Sequence, residues 1–125
     1  MSASRAPSLP VIALVTAYNE APTIGAILDV LQSSPSISKI QVVDDASTDG
    51  TYEVAKEKGV TVIRLAQKVP VGQAIMHHLD VIDEEAILLW CDADLLGLKV
   101  DHIERLVARY REGNVSQSLS SRGVP

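Results

Sequence analysis

Apolar residues along this chain follow two rhythms in alternation. Val11 to Ala17 is a nearly unbroken apolar run rich in β-branched residues. A run without alternation is the mark of a strand buried on both faces. Beyond Tyr18-Asn19-Glu20-Ala21-Pro22, the residues Ile24, Ile27, Leu28 and Leu31 recur at helical spacing and form one apolar stripe. Asn19 is placed to cap that helix, and Pro22 suits a first turn whose N–H groups lack partners. Ser33 to Ser36 ends it. Ile37 to Val43 predicts a second strand, which terminates in Asp44-Asp45. The turn Ala46-Ser47-Thr48-Asp49-Gly50 leads to a short helix from Thr51 to Lys58, stopped by Gly59. A third strand is expected over Val60 to Leu65 and a loop over Gln67 to Gly72. A helix follows over Gln73 to Ile82, with Ile75, Leu79 and Ile82 on its inner side. Ala86 to Cys91 reads as a fourth strand. The last helix starts near Asp101 and carries Ile103, Leu106, Val107 and Tyr110 on one face until Gly113.

Strands alternating with helices mean βαβ units, hence an α/β fold with a mainly parallel sheet in a Rossmann-like three-layer α/β/α arrangement. One domain is expected over residues 10–113. Residues 1–9, small and rich in Ser and Pro, read as a disordered arm; residues 114–125, polar and Ser-rich, read as a frayed tail.

Right-handed crossovers put the ends of strands one, two and four on one edge of such a sheet. Those ends carry Tyr18-Asn19-Glu20, Asp44-Asp45 and Asp92-Ala93-Asp94. Open α/β sheets bind ligands in the crevice beyond their strand ends. Carboxylates gathered there repel one another unless a cation or hydrogen-bond donors join them. Alternate residues of a strand face the same way, so Asp92 and Asp94 aim at one ligand if Asp94 continues the pleat. Two hard oxygens of this kind suit Mg²⁺ or Mn²⁺ held together with substrate phosphates. Read alone, the short D-A-D is equally a solvated loop with helix-capping acids.

Composition narrows the function. At 125 residues the chain is one domain, and its 46% hydrophobic content is ordinary for a globular protein. A formal charge of −5 leaves no electrostatic footprint for nucleic acid, and 3% aromatics leave few platforms for stacking bases. Cys91 is the only cysteine, which excludes an internal disulfide and a Cys-based zinc site and fits a reducing, cytoplasmic setting. The run Leu9 to Tyr18 after Arg5 is short and contains Pro10, so it reads as a buried strand and not a signal-peptide core. No stretch approaches the roughly 20 apolar residues of a membrane span. Membrane association through a partner or a lipid-linked acceptor stays compatible with that.

Competing assignments fit less well. The turn after the first strand lacks G-x-G-x-x-G, which disfavours a dinucleotide-binding enzyme. Asp44-Asp45 ends the second strand, whereas the acidic pair of response-regulator receivers ends the first. His77 and His78 stand about 100° apart on a helix and are expected at the surface or half-buried. His102 reads as a surface residue at a helix start. Cys91 points away from Asp92 and is expected as a packed small apolar residue. Trp90 shares the facing of Asp92, either as a pocket wall or as core. Ser47-Thr48-Asp49 serves as turn and cap or touches a ligand.

Three segments in order resemble the glycosyltransferase family 2 with its GT-A, nucleotide-diphospho-sugar transferase fold. They are Val15-Thr16-Ala17-Tyr18-Asn19-Glu20, Val42 to Thr51 and Asp92-Ala93-Asp94. The resemblance covers about residues 10 to 112. It implies that the backbone of Ala17 and Tyr18, with Glu20, borders the ribose and base of a UDP- or GDP-linked sugar. It implies that Asp45 accepts a hydrogen bond from the base, that Asp92 lies near the ribose or a metal-bound water, and that Asp94 ligates Mg²⁺ or Mn²⁺. The implied activity is sugar transfer from that donor. Two departures stand out. The Gly-rich turn before the third helix is Val71-Gly72-Gln73-Ala74, without the family's usual Lys, although Lys68 is near. The chain also stops after the helix following D-A-D, so the acceptor-binding half and the catalytic base have no counterpart. The alternative is thus a truncated, catalytically incomplete nucleotide-binding remnant.

Overall fold

The structure, a computed structural model, describes residues 9–95 and 97–113. Residues 1–8 of the expected arm and all of the expected tail, 114–125, lie outside the described residues.

Four strands and four helices alternate: β1 (Val11–Ala17), α1 (Ala21–Gln32), β2 (Ile37–Asp44), α2 (Thr51–Glu57), β3 (Thr61–Arg64), α3 (Val71–Asp80), β4 (Ile87–Asp92) and α4 (Val100–Arg111). The sheet order is β3-β2-β1-β4, and every pairing is parallel. β1 lies in the centre between β2 and β4. That position explains its unbroken apolar run, since every residue but Thr16 is buried. The register places Ala17 opposite Asp44, and Thr16 opposite both Val43 and Asp92. Being parallel, β1, β2 and β4 therefore end at one edge, as the α/β reading requires.

One face of the sheet packs Val11, Ala13, Val15, Val42, Leu89 and Cys91 against α1, α2 and α4. Ile24, Ile27, Leu28 and Leu31 of α1 are all buried there, and so are Ile103 and Val107 of α4, as their spacing predicts. Burying side chains of this size stabilises the fold by roughly 1.5–3 kcal/mol each. The opposite face takes α3, where Ala74 packs with Val43 and Leu65.

α3 corrects the sequence reading. It begins at Val71, directly after Pro70, and its buried residues are Ala74 and His78. Leu79, expected inside, is 38% exposed. Ala74 and His78 are one helical turn apart, so the small methyl brings the helix close while the imidazole reaches between strands. His78, expected at the surface or half-buried, is fully buried. Its Nε2 lies 3.1 Å from the Val15 carbonyl, and its Nδ1 3.0 Å from Gln41 Nε2, which also donates to the His78 carbonyl at 3.1 Å. Nδ1 has to accept from the amide, so the ring proton sits on Nε2 and points to Val15. Burial pushes the imidazole down to about 4. Trp90 meets this ring edge-on, with centroids 5.7 Å apart. A polar Gln41 in the middle of an apolar strand was the available sign that a buried partner had to exist.

Candidate functional site

The shared edge carries two structures, one built by the tips of β1 and β2 and one by the tip of β4. At the first, Asn19 (φ 52°) and Ala46 (φ 63°) both take the left-handed backbone that lets each strand turn sharply. Three successive amides entering α1 donate across to the β2–α2 loop. Asn19 N bonds Ser47 Oγ at 2.8 Å, Glu20 N bonds Thr51 Oγ1 at 2.9 Å, and Ala21 N bonds Asp49 Oδ2 at 3.2 Å. Thr48 N returns a bond to Asn19 Oδ1 at 2.8 Å. The unpaired donors of the first helix are thus satisfied from another loop.

This corrects the expectation that Asn19 caps α1. Glu20 holds the cap position without a side-chain bond, and Asn19 is spent on Thr48. Ser47, Thr48 and Asp49 all serve the turn and the cross-links to α1. Asp49 Oδ1 further accepts from the Thr51 amide at 3.0 Å and from the Thr51 hydroxyl. The hydroxyl foremost holds the Asp49 carboxyl below its ordinary value. Gly50, at φ 99°, supplies the turn that brings Asp49 and Thr51 together.

Asp44 and Asp45 diverge in their surroundings. Asp44 is fully buried, and its Oδ1 accepts from Ser47 N at 3.1 Å. Among the described residues its Oδ2 has no hydrogen-bond partner, but it lies 3.7 Å from Arg64 Nε, close enough for charge attraction. The Arg64 guanidinium in turn lies over the Tyr52 ring, 4.4 Å from its centroid. Asp45, 2% exposed, receives Val69 N on Oδ1 and Lys68 Nζ on Oδ2, both at 2.9 Å. Its own amide donates to the Ala17 carbonyl at 2.8 Å. Lys68 Nζ also donates to the Val69 carbonyl at 3.1 Å and stands 4.8 Å from the Tyr18 ring centroid. Tyr18 is 44% exposed, so its ring and the ammonium form the outer wall over Asp45.

The β4 tip is looser. The strand ends at Asp92, and Ala93-Asp94 form a turn closed by Leu95 N donating to the Asp92 carbonyl at 3.3 Å. Asp94 therefore does not continue the pleat, contrary to the condition set above. Both carboxylates nevertheless reach solvent, while Ala93 between them is buried. Partial burial first, and the neighbouring Asp94 charge second, raise the Asp92 carboxyl above its ordinary value. Cys91 points into the core as expected; burial, with Asp92 and Asp94 adding to it, pushes its thiol up to about 12 and leaves it inert as a nucleophile. His102, at the start of α4, accepts from Lys99 N on Nδ1 at 3.2 Å.

The two structures touch through α1. Thr23 Oγ1 donates to the Ala93 carbonyl at 2.7 Å and lies 3.2 Å from Glu20 Oε2. Ala17, Tyr18, Glu20, Asp45, Asp92 and Asp94 thus line one edge of the sheet. Sequence reasoning did not find Thr23, which reads as an ordinary helix-start residue beside Pro22. It noted Lys68 only as near the Gly-rich turn, not as the partner of Asp45. Among the described residues no three His, Cys, Asp or Glu side chains gather into a metal cluster. A cation at the β4 tip would take two carboxylates from this chain and its remaining oxygens from water and ligand, which is the usual habit of Mg²⁺ and Mn²⁺.

The parallel α/β sheet, with acid-bearing strand ends on one edge, has the Rossmann-like fold of nucleotide-diphospho-sugar transferases. Residues 12–124 match the sequence profile of glycosyl transferase family 2, and the chain belongs to that family. No curated protein sequence matches it significantly. Among solved structures it is similar to a mannosyltransferase from Pyrobaculum calidifontis in complex with GDP-Man and Mn²⁺. That similarity is 28% identity and a TM-score of 0.71 over 79% of this chain and 31% of the other. It is also similar to mannosyl-3-phosphoglycerate synthase from Rubrobacter xylanophilus, at 30% identity and a TM-score of 0.67 over 76% of this chain and 34% of that one. Glucosyl-3-phosphoglycerate synthase from Mycobacterium tuberculosis, solved with Mn²⁺ and UDP-glucose, shares the fold at a TM-score of 0.75 and 22% identity, over 86% of this chain and 41% of that chain. The chain spans well under half the length of each. Among the described residues no helix is long and apolar enough to cross a membrane.

Proposed function

We propose that this chain binds the nucleotide-diphospho-sugar donor of a glycosyl transfer, with a UDP- or GDP-linked sugar as ligand. The observation that carries the reading is the meeting of Glu20, Asp45 and the Asp92–Asp94 turn at one sheet edge, where the parallel strands end. In it, the backbone of Ala17 and Tyr18 with Glu20 borders the nucleoside. Asp45 receives the ring N–H of uracil or guanine once Lys68 shifts from its carboxylate. Each carboxylate oxygen offers more than one lone pair, so the bond from Val69 can stay in place.

Charge balance requires a cation. A diphosphate brought to Asp92 and Asp94 adds negative charge to negative charge, in a protein whose net charge is already −5. Asp94, with Asp92, would hold Mg²⁺ or Mn²⁺ between the turn and the diphosphate. When bound, such an ion neutralises the charge that grows on the leaving diphosphate as the glycosidic bond breaks. Mannosyl and glucosyl donors are the candidates suggested by the structural relatives. The acceptor and the group that activates it are not supplied by any described residue. The donor-binding step is therefore the part assigned to these residues, which correspond to 31–42% of the similar structures, and binding of nucleotide without sugar transfer is the second reading.

Calorimetric titration of UDP, GDP, UDP-glucose and GDP-mannose, each with and without Mn²⁺, tests the assignment. Asp94→Asn is expected to abolish the Mn²⁺-dependent part of the binding. Binding that stays Mn²⁺-dependent in that variant overturns the site, and sugar transfer by the wild type would exclude the second reading.

A further inference from the structure

The turn that bears Asp92 and Asp94 is anchored by a residue seventy positions earlier. Thr23, in the first turn of α1, donates its hydroxyl to the carbonyl of Ala93 at 2.7 Å. The same oxygen lies 3.2 Å from Glu20 Oε2 and 3.3 Å from the Glu20 carbonyl. A hydroxyl has one proton, and the shortest of the three contacts takes it. The bond thus falls on the Ala93–Asp94 peptide, one of the two that join the acids.

That placement has a mechanical consequence. Each residue of a turn keeps two soft dihedrals. Two carboxylates on such a turn lower their energy by swinging apart, because like charges repel. Pinning the Ala93 carbonyl restricts the backbone rotation that would separate them. We infer that Thr23 is a positioning residue for the cation site: its hydroxyl holds the Ala93 peptide so that Asp92 and Asp94 stay together, and it ties their turn to the first turn of α1. This rests on the reading of Asp92 and Asp94 given above. Thr23 itself touches neither metal nor donor. It acts as outer-shell groups of metal sites do, where substitution typically weakens metal affinity by about 10–100-fold.

The test uses the full chain with Mn²⁺ and UDP or GDP. Free Mn²⁺ is measured by electron paramagnetic resonance, nucleotide binding without metal by calorimetry, and folding by circular dichroism. Thr23→Val keeps the shape and loses the proton; Thr23→Ser keeps the hydroxyl. The expected result is a loss of about tenfold in Mn²⁺ affinity for Thr23→Val. Metal-free nucleotide binding stays unchanged, and Thr23→Ser regains most of the loss. Wild-type Mn²⁺ affinity in a folded Thr23→Val overturns the inference while leaving the metal site standing. Equal losses with and without metal, or no recovery in Thr23→Ser, overturn it too, since Thr23 would then serve only the fold or the nucleoside wall. A wild type that binds no Mn²⁺ in the presence of nucleotide overturns the site and the inference together.

Discussion

The β1–β2 corner and the β4 tip serve the same crevice and are built on opposite terms. At the corner, Asn19, Glu20 and Ala21 give their amides to Ser47, Thr51 and Asp49, and Asp45 is held by Val69, Lys68 and the Ala17 carbonyl. Asp44, Asp45 and Asp49 there already have a donor or a cation nearby. At the β4 tip, Asp92 and Asp94 reach solvent, and among the described residues their turn is held by Leu95 N and the Thr23 hydroxyl. The difference teaches how one edge can be both rigid and receptive. The corner satisfies its charges internally and, on the proposed reading, sets the shape of the nucleoside side. On the proposed reading the tip leaves its charges for an incoming cation; partial burial first, and the Asp94 charge second, raise the Asp92 carboxyl.

Four experiments sharpen or break this contrast, in falling order of effect. The floor beneath the corner is His78, whose folded value near 4 lies below the ordinary 6.5. Between those values the unfolded chain takes up a proton that the native chain refuses, so stability should rise with pH across that window. The loss on going from pH 7 to pH 4 is at most on the order of 3 kcal/mol from this group. Urea melts across that range read it, and His78→Leu should flatten this part of the slope. A slope that survives the substitution unchanged would remove His78 as its source.

Next, Thr51→Val leaves the Glu20 amide without its acceptor and should cost about 2 kcal/mol. The Asp49 carboxyl should then titrate nearer its ordinary value, which NMR would follow. No change in either would mean the corner is not locked as described. Third, Thr23→Val should cost less stability, about 1 kcal/mol, because it removes one bond from a part-buried loop. A loss as large as that of Thr51→Val would erase the distinction between corner and tip. Last, Lys68→Ala should change stability by under about 1 kcal/mol, since the ammonium is half exposed and screened by solvent.

Much of this was legible in the residues. The unbroken run Val11–Ala17, the stripes Ile24 to Leu31 and Ile103 to Val107, and the alternation of strand and helix led to the parallel α/β sheet. The acid-bearing strand ends could be placed on one edge because parallel strands must all finish on the same side. α3 was misread because its inner face holds only Ala74 and His78, a pair too small and too polar to register as an apolar stripe. Gln41 alone hinted at it.

What the chain's order of residues determined by itself was periodicity and connectivity, which are local properties: where strands stop, and which polar clusters follow them. What the tertiary structure decided was who satisfies whom. Asn19 leaves its own helix for Thr48, Lys68 comes to Asp45, and Thr23 reaches Ala93 across seventy residues. Such pairings depend on which loops the assembled sheet brings within 3 Å or so, and a hydrogen bond at that range carries no signature in sequence spacing.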